Sequence, residues 1–395
     1  MLAIVAPGQG AQTPGFLEPW LADPTYAARL QWLSAVADLD LVHYGTKADA
    51  DAIRDTSVAQ PLLVASALLA ALELFPHPAD AFTKIGAVAG HSVGELAAAA
   101  GSRTITAEQA MVLVRERGRA MAHAAAAAPT SMTAILGGDR DDVLATLERH
   151  GLTAANDNGP DQIVAAGTVE QLAALAADPP AKARLTPLSV AGAFHTHHMA
   201  PAVETLAGLA RSVSTHDPRT RVISNRDGHV VHEGRELLDR MVAQVASPVR
   251  WDLCMETMLD LGVTGLLELP PAGTLTGIAR RAMKGVETFA LKSPDQLDDA
   301  RAFVERHGTP NPFDESPTWR MLVSPAKGTF RQHDALSADG VVPVDATIGT
   351  VAGLRDEVLV RAPHGGTVIE WLVSDGDPVS PGQPLVRLHP AGVGV

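Results

Sequence analysis

The sequence predicts an α/β protein built on parallel strands, followed by a small all-β domain. Three observations lead there. Short apolar runs that stop on turn residues alternate with long helical stretches, the pattern of strands joined by crossover helices. A middle segment, residues 128–190, changes to short strands interleaved with two helices. Beyond residue 321 no good helix remains, and a Gly-, Pro- and Val-rich pattern occurs twice.

Taken along the chain, LAIVAP (2–7) is a short buried strand closed by a Pro-Gly turn, and GAVAGHS (86–92) is a second. Between them VAQPLLVASALLAALELF (58–75) reads as a helix. TAEQAMVLVRERGRAMAHAA (106–125) reads as another, opened by a capping box of Thr106 and Gln109. SMTAILGG, DDVLATLERHG, LTAANDN, QIVAAGT and VEQLAALAA then form a small α+β subdomain over 128–190. GLLEL (265–269) and TLTGIARRAM (274–283) return to strand and helix. The larger domain is thus expected over 1–127 and 191–306. HGTPNPFDESPTWR (307–320) is rich in Pro and polar residues and reads as a linker. In the last domain, 321–390, SPAKGTF (324–330) matches APHGGTV (362–368) at an offset of about 38 residues. ADG (338–340) then corresponds to SDG (374–376), and VVPVDATI (341–348) to DPVSPGQPL (377–385). Two copies of a hairpin-like unit suggest a β-sandwich of interleaved halves.

Composition narrows the function. The chain has 395 residues, 46% hydrophobic and 19% charged, enough for two or three domains with a core of mostly Ala, Leu and Val. A net charge of −14 argues against general nucleic-acid binding. One cysteine, Cys254, leaves no disulfide framework and no cysteine metal cluster, and fits a reducing compartment. MLAIVAPGQG is too short and lacks the basic flank of a signal peptide, and no apolar run approaches the ~18 residues of a span. A cytoplasmic protein is expected.

The stretch AGHSVGELAA (89–98) places Ser92 between Gly90 and Gly94, after a strand and before a helix. Such a turn projects a hydroxyl from the end of a sheet, beside the free N–H groups and positive dipole of the helix. That is the position of a nucleophile in acyl transfer. A plain helix N-cap with packing glycines fits the pentapeptide equally well. A nucleophilic serine needs a base. The best candidate is His195 in VAGAFHTHHM (190–199); its cluster with His197 and His198 also admits a metal site, though no carboxylate or thiol lies near in sequence. On the helix 106–125, Arg117 falls in the middle of an apolar face made by Ala110, Leu113, Val114, Met121 and Ala124. A buried guanidinium requires an anionic partner. A substrate carboxylate, a distant Asp or Glu, and a stem that reaches out to solvent are all open.

GQGAQ (8–12), GHSVGE (90–95), RGRAM (117–121), NGPDQIVAAG (158–167), GAFHTHHM (192–199) and SPVRW (247–251) come in a telling order. Together they resemble the malonyl-CoA:acyl-carrier-protein transacylases and the acyltransferase domains of polyketide synthases, over roughly residues 1–305. The resemblance implies an α/β-hydrolase-like core with a ferredoxin-like insert. It implies a Ser–His dyad, with Ser92 as nucleophile and His195 as base. It implies an orienting backbone carbonyl in the segment matching SPVRW, placed at Arg250, and an oxyanion hole from the backbone N–H groups of Gln9 and Val93. Arg117 matches the arginine that grips the malonyl carboxylate, and Phe194 looks like the malonyl-type residue of its motif. PPAG (270–273) departs from the Gly-Pro-Gly turn of many relatives. The implied reaction moves malonyl from malonyl-CoA to the phosphopantetheine thiol of an acyl carrier protein in fatty-acid or polyketide synthesis. Carrier proteins are acidic, so Arg280, Arg281 and Lys284 are candidate docking residues, with Lys292 beyond. Cations favoured at a helix C-terminus explain them as well.

The residues 321–390 resemble biotinyl/lipoyl-like domains, which are barrel-sandwich hybrids. Functional members carry a lysine at the hairpin between halves. Here TVAGLRDEV (350–358) has none, and Lys327, the only lysine past 321, matches a different turn. Neither biotin nor lipoate is expected, nor any other cofactor or metal. A scaffold role or an evolutionary remnant is left, including a tether to a carboxylase or synthase. Two other readings compete for the whole chain: a thioester hydrolase using the same dyad, and a non-catalytic binding protein. A nicotinamide site at GQGAQTPG fails on spacing.

Overall fold

Leu2–Ala6 and Ile85–Gly90 are buried at every position, as strands covered on both faces must be. They lie side by side at the centre of a six-stranded sheet. Its order is Glu287–Ala290, Gly265–Glu268, Leu2–Ala6, Ile85–Gly90, Arg221–Ile223, Val230–Val231. All neighbours are parallel except the last pair. Side chains alternate between faces: Leu2, Ile4, Ala6 and Val88 enter one core cluster, while Ala3, Val5, Ala87 and Ala89 enter another. This computed structural model describes residues 1–190, 192–308, 320–333, 340–354 and 356–389, the side chains of Pro78 and Ala79 excepted. The chain divides into two units, Met1–Asp314 and Glu315–Val395.

The helix Thr56–Leu74 packs most of its circumference into the first cluster. By length and composition it could cross a membrane, which corrects the expectation that no apolar run comes near that length. Gln60, Ser66 and Glu73 interrupt the apolar run in sequence without lowering its mean hydropathy enough. In the fold 72% of its apolar window is buried, as in a core helix. Against it packs Ala107–Ala125, whose capping box of Thr106 and Gln109 is fully formed.

The insert runs strand, helix, strand, strand, helix, strand. Its sheet order is Ala183–Pro187, Thr130–Gly137, Gln162–Thr168, Thr153–Asp157, with antiparallel neighbours. Arg140–Arg149 and Val169–Ala177 are its helices, the second with its own capping box of Thr168 and Gln171. A fifth strand comes from far along the chain: Val249–Arg250 pairs in parallel with Thr153–Asp157.

Only the two ends of the segment expected as a linker, 307–308 and 320, fall among the described residues. His307 closes the helix Leu297–His307, and Arg320 opens a strand; residues 309–319 lie outside those described. The C-terminal unit has two four-stranded sheets around Phe330, Val351, Leu385 and Val386. One sheet is ordered Arg320–Val323, Pro384–His389, Gly366–Trp371, Val341–Val342; the other Glu357–Ala362, Ala346–Ala352, Gly328–Gln332, Pro378–Val379. Each sheet takes two strands from each half of the internal repeat, so the halves interleave. The hairpin expected at 350–358 joins Ala346–Ala352 to Glu357–Ala362, closed by a Gly353 N–H to Asp356 carbonyl bond of 2.8 Å; Arg355 lies outside the described residues.

Candidate active site

The strand Ile85–Gly90 stops at a turn so tight that only glycine fits on both sides. A Cβ on Gly90 would stand 1.9 Å from the Gly94 carbonyl carbon, and one on Gly94 would stand 2.3 Å from the Ala6 oxygen. Between them Ser92 adopts φ +53°, a left-handed conformation that serine rarely holds. The helix Gly94–Gly101 begins immediately after, with Val93 as its N-cap. Ser92 is therefore no simple cap: its hydroxyl is raised at the carboxyl end of a parallel strand, where sites in such sheets gather.

Two side chains from distant segments, His195 and Arg117, reach that hydroxyl. His195 Nε2 lies 2.8 Å from Ser92 Oγ. Its Nδ1 lies 3.0 Å from the Gln244 carbonyl oxygen. A carbonyl only accepts, so Nδ1 carries the hydrogen and Nε2 is left as the acceptor for the serine hydroxyl. Burial, and secondarily the charge of Arg117, push the His195 pKa down to about 3, so the ring is neutral at physiological pH. His195 is 4% exposed, and its own N–H donates to the Val245 carbonyl at 3.2 Å.

The orienting carbonyl corrects the sequence expectation: it belongs to Gln244, not Arg250. Gln244 ends the helix Gly234–Gln244, where carbonyls lack partners within the helix and are free to accept from outside. Arg250 serves elsewhere. Its N–H donates to the Asn225 carbonyl at 2.8 Å, and its guanidinium pairs with Asp252 at 2.7 Å.

Arg117 is 4% exposed. It donates to Gln60 Oε1 at 2.7 Å, to Gln244 Oε1 at 3.3 Å and to Ser92 Oγ at 3.1 Å. These partners are neutral, and among the described residues no carboxylate lies in ion-pair contact with it. Burial lowers its pKa to about 10, which leaves it charged near neutrality. Glu95, the nearest acid by influence, is itself pushed up to about 8 by burial. Glu95 and Arg117 feel each other's charge, but no direct hydrogen bond joins them among the described residues. Arg117 and Ser92 share a small pocket whose other walls are apolar: Leu96, Leu113, Leu206, Leu238, Met241 and Val242, with Glu95 at one side.

Gln9 lies on the loop after Leu2–Ala6, pinned by its side-chain amide to the Arg54 carbonyl and Thr56 hydroxyl at 3.1 and 3.3 Å. Among the described residues the backbone N–H groups of Gln9 and Val93 make no hydrogen bond. Gly8 brings this loop against the turn, since a Cβ there would stand 2.9 Å from the His91 oxygen. Phe194 is buried in a cluster with Met121, Ala125, Met132 and Met199, and is not among the residues lining the pocket. The rings of His197 and His198 lie 4.1 Å apart, tilted at 34°, and no group of described residues is arranged to hold a metal. Arg280 and Arg281 are exposed in the last turn of Thr274–Ala282, with Lys284 just beyond; Arg280 Nε donates to Thr288 Oγ1 at 3.0 Å. PPAG carries a cis bond between Pro270 and Pro271, and the buried Glu268 carboxylate accepts from Gly273, Leu275 and Thr276 N–H to cap that helix.

Three site residues went unread in the sequence. Gln60 and Gln244 hold Arg117, and Asn225 accepts from Ser92 N–H at 2.7 Å and donates to the Gly90 carbonyl at 2.8 Å. Asn158 of the insert meets the half-buried His91 at 2.9 Å.

Comparison with known proteins places the fold in a family. Residues 4–304 match the family described as acyl transferase domain. A malonyl CoA-acyl carrier protein transacylase of Mycobacterium tuberculosis is 50% identical over 299 residues, covering 76% of this chain and 99% of the relative. One from Escherichia coli is 31% identical over 304 residues, covering 75% of this chain and 97% of the relative. A crystal structure of the M. tuberculosis enzyme, MCAT, superposes with a TM-score of 0.74 over 76% of this chain and 99% of that one, at 50% identity. A complex of a type II polyketide acyl-carrier protein with its malonyl-transacylase gives a TM-score of 0.70, at 27% identity, over 76% of this chain and 99% of that one. The chain belongs to the acyltransferase family that contains the malonyl CoA-acyl carrier protein transacylases.

Proposed function

We propose that this enzyme transfers malonyl from malonyl-CoA to the phosphopantetheine thiol of an acyl carrier protein through a malonyl ester on Ser92. The observation that carries the reading is the placement of one hydroxyl, 2.8 Å from a neutral imidazole and 3.1 Å from a buried guanidinium held only by neutral groups. His195 Nε2 takes the serine proton as Oγ attacks the thioester carbonyl. Gln244 holds the ring in the right tautomer and favours the imidazolium that forms. The oxyanion is received by the N–H groups of Gln9 and Val93, assisted by the N-terminus of the helix Gly94–Gly101. CoA leaves as the thiol, taking the proton from His195. The carrier thiol then enters and the steps run in reverse. Arg117 clamps the malonyl carboxylate in two hydrogen bonds, so the acyl group itself supplies the anion that the buried cation lacks.

The test is intact-mass spectrometry of enzyme mixed with malonyl-CoA, then with holo carrier protein. A malonyl adduct should appear on the native chain, vanish in Ser92→Ala, and move to the carrier. Release of free malonate at the same rate with and without carrier would make the enzyme a thioester hydrolase instead.

Arg280, Arg281 and Lys284 form part of the carrier docking face, in keeping with their exposure on a chain of net charge −14. The C-terminal unit is a biotinyl/lipoyl-like module without its modifiable lysine; the interleaved repeat and the lysine-free hairpin favour this. It carries neither biotin nor lipoate and serves as a tether, for example to a carboxylase that makes malonyl-CoA. A biotin or lipoyl mass on the purified chain would overturn that reading. A cytoplasmic location accords with a single, buried, unpaired cysteine.

A further inference from the structure

We propose that Asn225 is the positioning residue that holds the Ser92 turn in its strained shape and thereby sets the rate of acylation; this rests on the acyl-enzyme reading above. Asn225 follows the strand Arg221–Ile223, which pairs with the strand leading into Ser92, and it is fully buried. Every polar group it owns is engaged. Its Oδ1 accepts from Ser92 N–H at 2.7 Å, and its Nδ2 donates to the Gly90 carbonyl at 2.8 Å and to Cys254 Sγ at 3.7 Å. Its backbone N–H donates to Glu95 Oε1 at 2.8 Å, and its carbonyl accepts from Arg250 N–H at 2.8 Å.

The first two bonds grip the turn on both sides of the nucleophile. One accepts from Ser92 itself and the other donates to the residue that starts the turn, through a single rigid amide. A serine at φ +53° persists only where its surroundings over-determine it. Asn225 supplies that restraint without touching the serine hydroxyl, so it acts through the backbone. The titratable groups against it are the Glu95 carboxyl and the Cys254 thiol, both pushed up by burial; Arg117, Arg240 and Asp227 act on Glu95 from further off.

The test uses Asn225→Ala and Asn225→Asp in the full chain. It measures the single-turnover rate of Ser92 malonylation, the KM for malonyl-CoA, and folding by circular dichroism. Asn225→Ala should lower the acylation rate about 100-fold, the scale of a ~1 Å misplacement. Its KM should stay within about threefold, because the Arg117 pocket is intact. In Asn225→Asp a protonated carboxyl keeps both the acceptor for Ser92 N–H and a donor for Gly90, whereas an ionised one loses the donor. Its rate, relative to the native enzyme, should therefore rise as pH falls from about 8 towards 5 across a raised carboxyl pKa. A folded Asn225→Ala with near-native acylation, or an Asn225→Asp whose relative rate is flat with pH, overturns the proposal. If Asn225→Ala does not fold, the Asn225→Asp profile decides alone. Failure of the native enzyme to form an ester on Ser92 would instead remove the acyl-enzyme reading.

Discussion

Replacing Arg117 with alanine should strip the enzyme of its preference for a carboxylated acyl group. The guanidinium lies 3.1 Å from the nucleophile, in a pocket whose remaining walls are mostly apolar. A hydrogen bond to a charged group contributes about 1.5–3 kcal/mol. At ~1.4 kcal/mol per factor of ten, the ratio of kcat/KM for malonyl-CoA over acetyl-CoA should fall about 10- to 100-fold. The loss should sit almost wholly in the malonyl numerator. Arg117→Lys should land between, since an ammonium keeps the charge but not the fork. A second effect has a fixed sign. The charge of Arg117 is one cause of the low His195 pKa, so its removal raises that pKa and shifts the acid limb of the rate profile upward. Alanine also leaves the Gln60 and Gln244 amide oxygens without their donor, at a cost of ~1–3 kcal/mol each, so melting temperature must be followed alongside. The assay is acyl-enzyme formation from each thioester by quenched-flow mass spectrometry. Equal losses for malonyl and acetyl would refute the clamp.

The native kcat/KM for malonyl-CoA should stay level well below pH 6.5, because the folded His195 titrates near 3; an acid limb near 6.5 would show that the ring is not the buried base described. The same depressed pKa makes stability fall as pH drops from about 6.5 towards 3, where the unfolded chain binds a proton that the folded chain does not, and denaturant melts across that window should register the slope. Gly94→Ala forces a Cβ to within 2.3 Å of a backbone oxygen and should destabilise by at least ~1–3 kcal/mol, whereas Gly101→Ala in the same helix meets nothing within 4 Å and should be neutral or better. Comparable melting temperatures for the two would contradict the packing described at the turn. Arg280→Glu combined with Arg281→Glu should raise the KM for carrier protein about tenfold and leave malonylation of Ser92 unchanged. An unchanged carrier KM would place docking on another face.

What could be read in advance depended on whether a function rested on residue type in a local pattern. Gly90, Ser92 and Gly94 are such a pattern, because a turn this tight excludes any side chain on two of its positions. Arg117 announced itself as a charge on an apolar helical face. The gripping amides did not: Gln60 lies 57 residues from Arg117 and Asn225 lies 133 from Ser92, and neither stands in a distinctive local context. The orienting carbonyl is illegible for a related reason. Any residue owns a backbone carbonyl, so only the helix end at Gln244 identifies the one left free. The strand Val249–Arg250 is two residues long and carries no alternation to betray it. The helix Thr56–Leu74 is legible as a helix, but its apolarity all round reflects burial against several elements, not one stripe facing a core.

The borrowed strand of the insert has a consequence for anyone engineering this scaffold. Within seven residues the chain supplies the acceptor that aligns the imidazole, the edge that extends the insert's sheet, and the N–H that anchors Asn225. Arg140 of the insert also reaches Asp252 at 3.5 Å, and Asn158 reaches His91 beside the nucleophile. The insert is therefore no interchangeable cassette. Grafting one from a relative, without its matching 244–252 segment, should disturb both halves of the dyad at once, and chimaeras cut at 128 and 190 alone are the wrong boundaries.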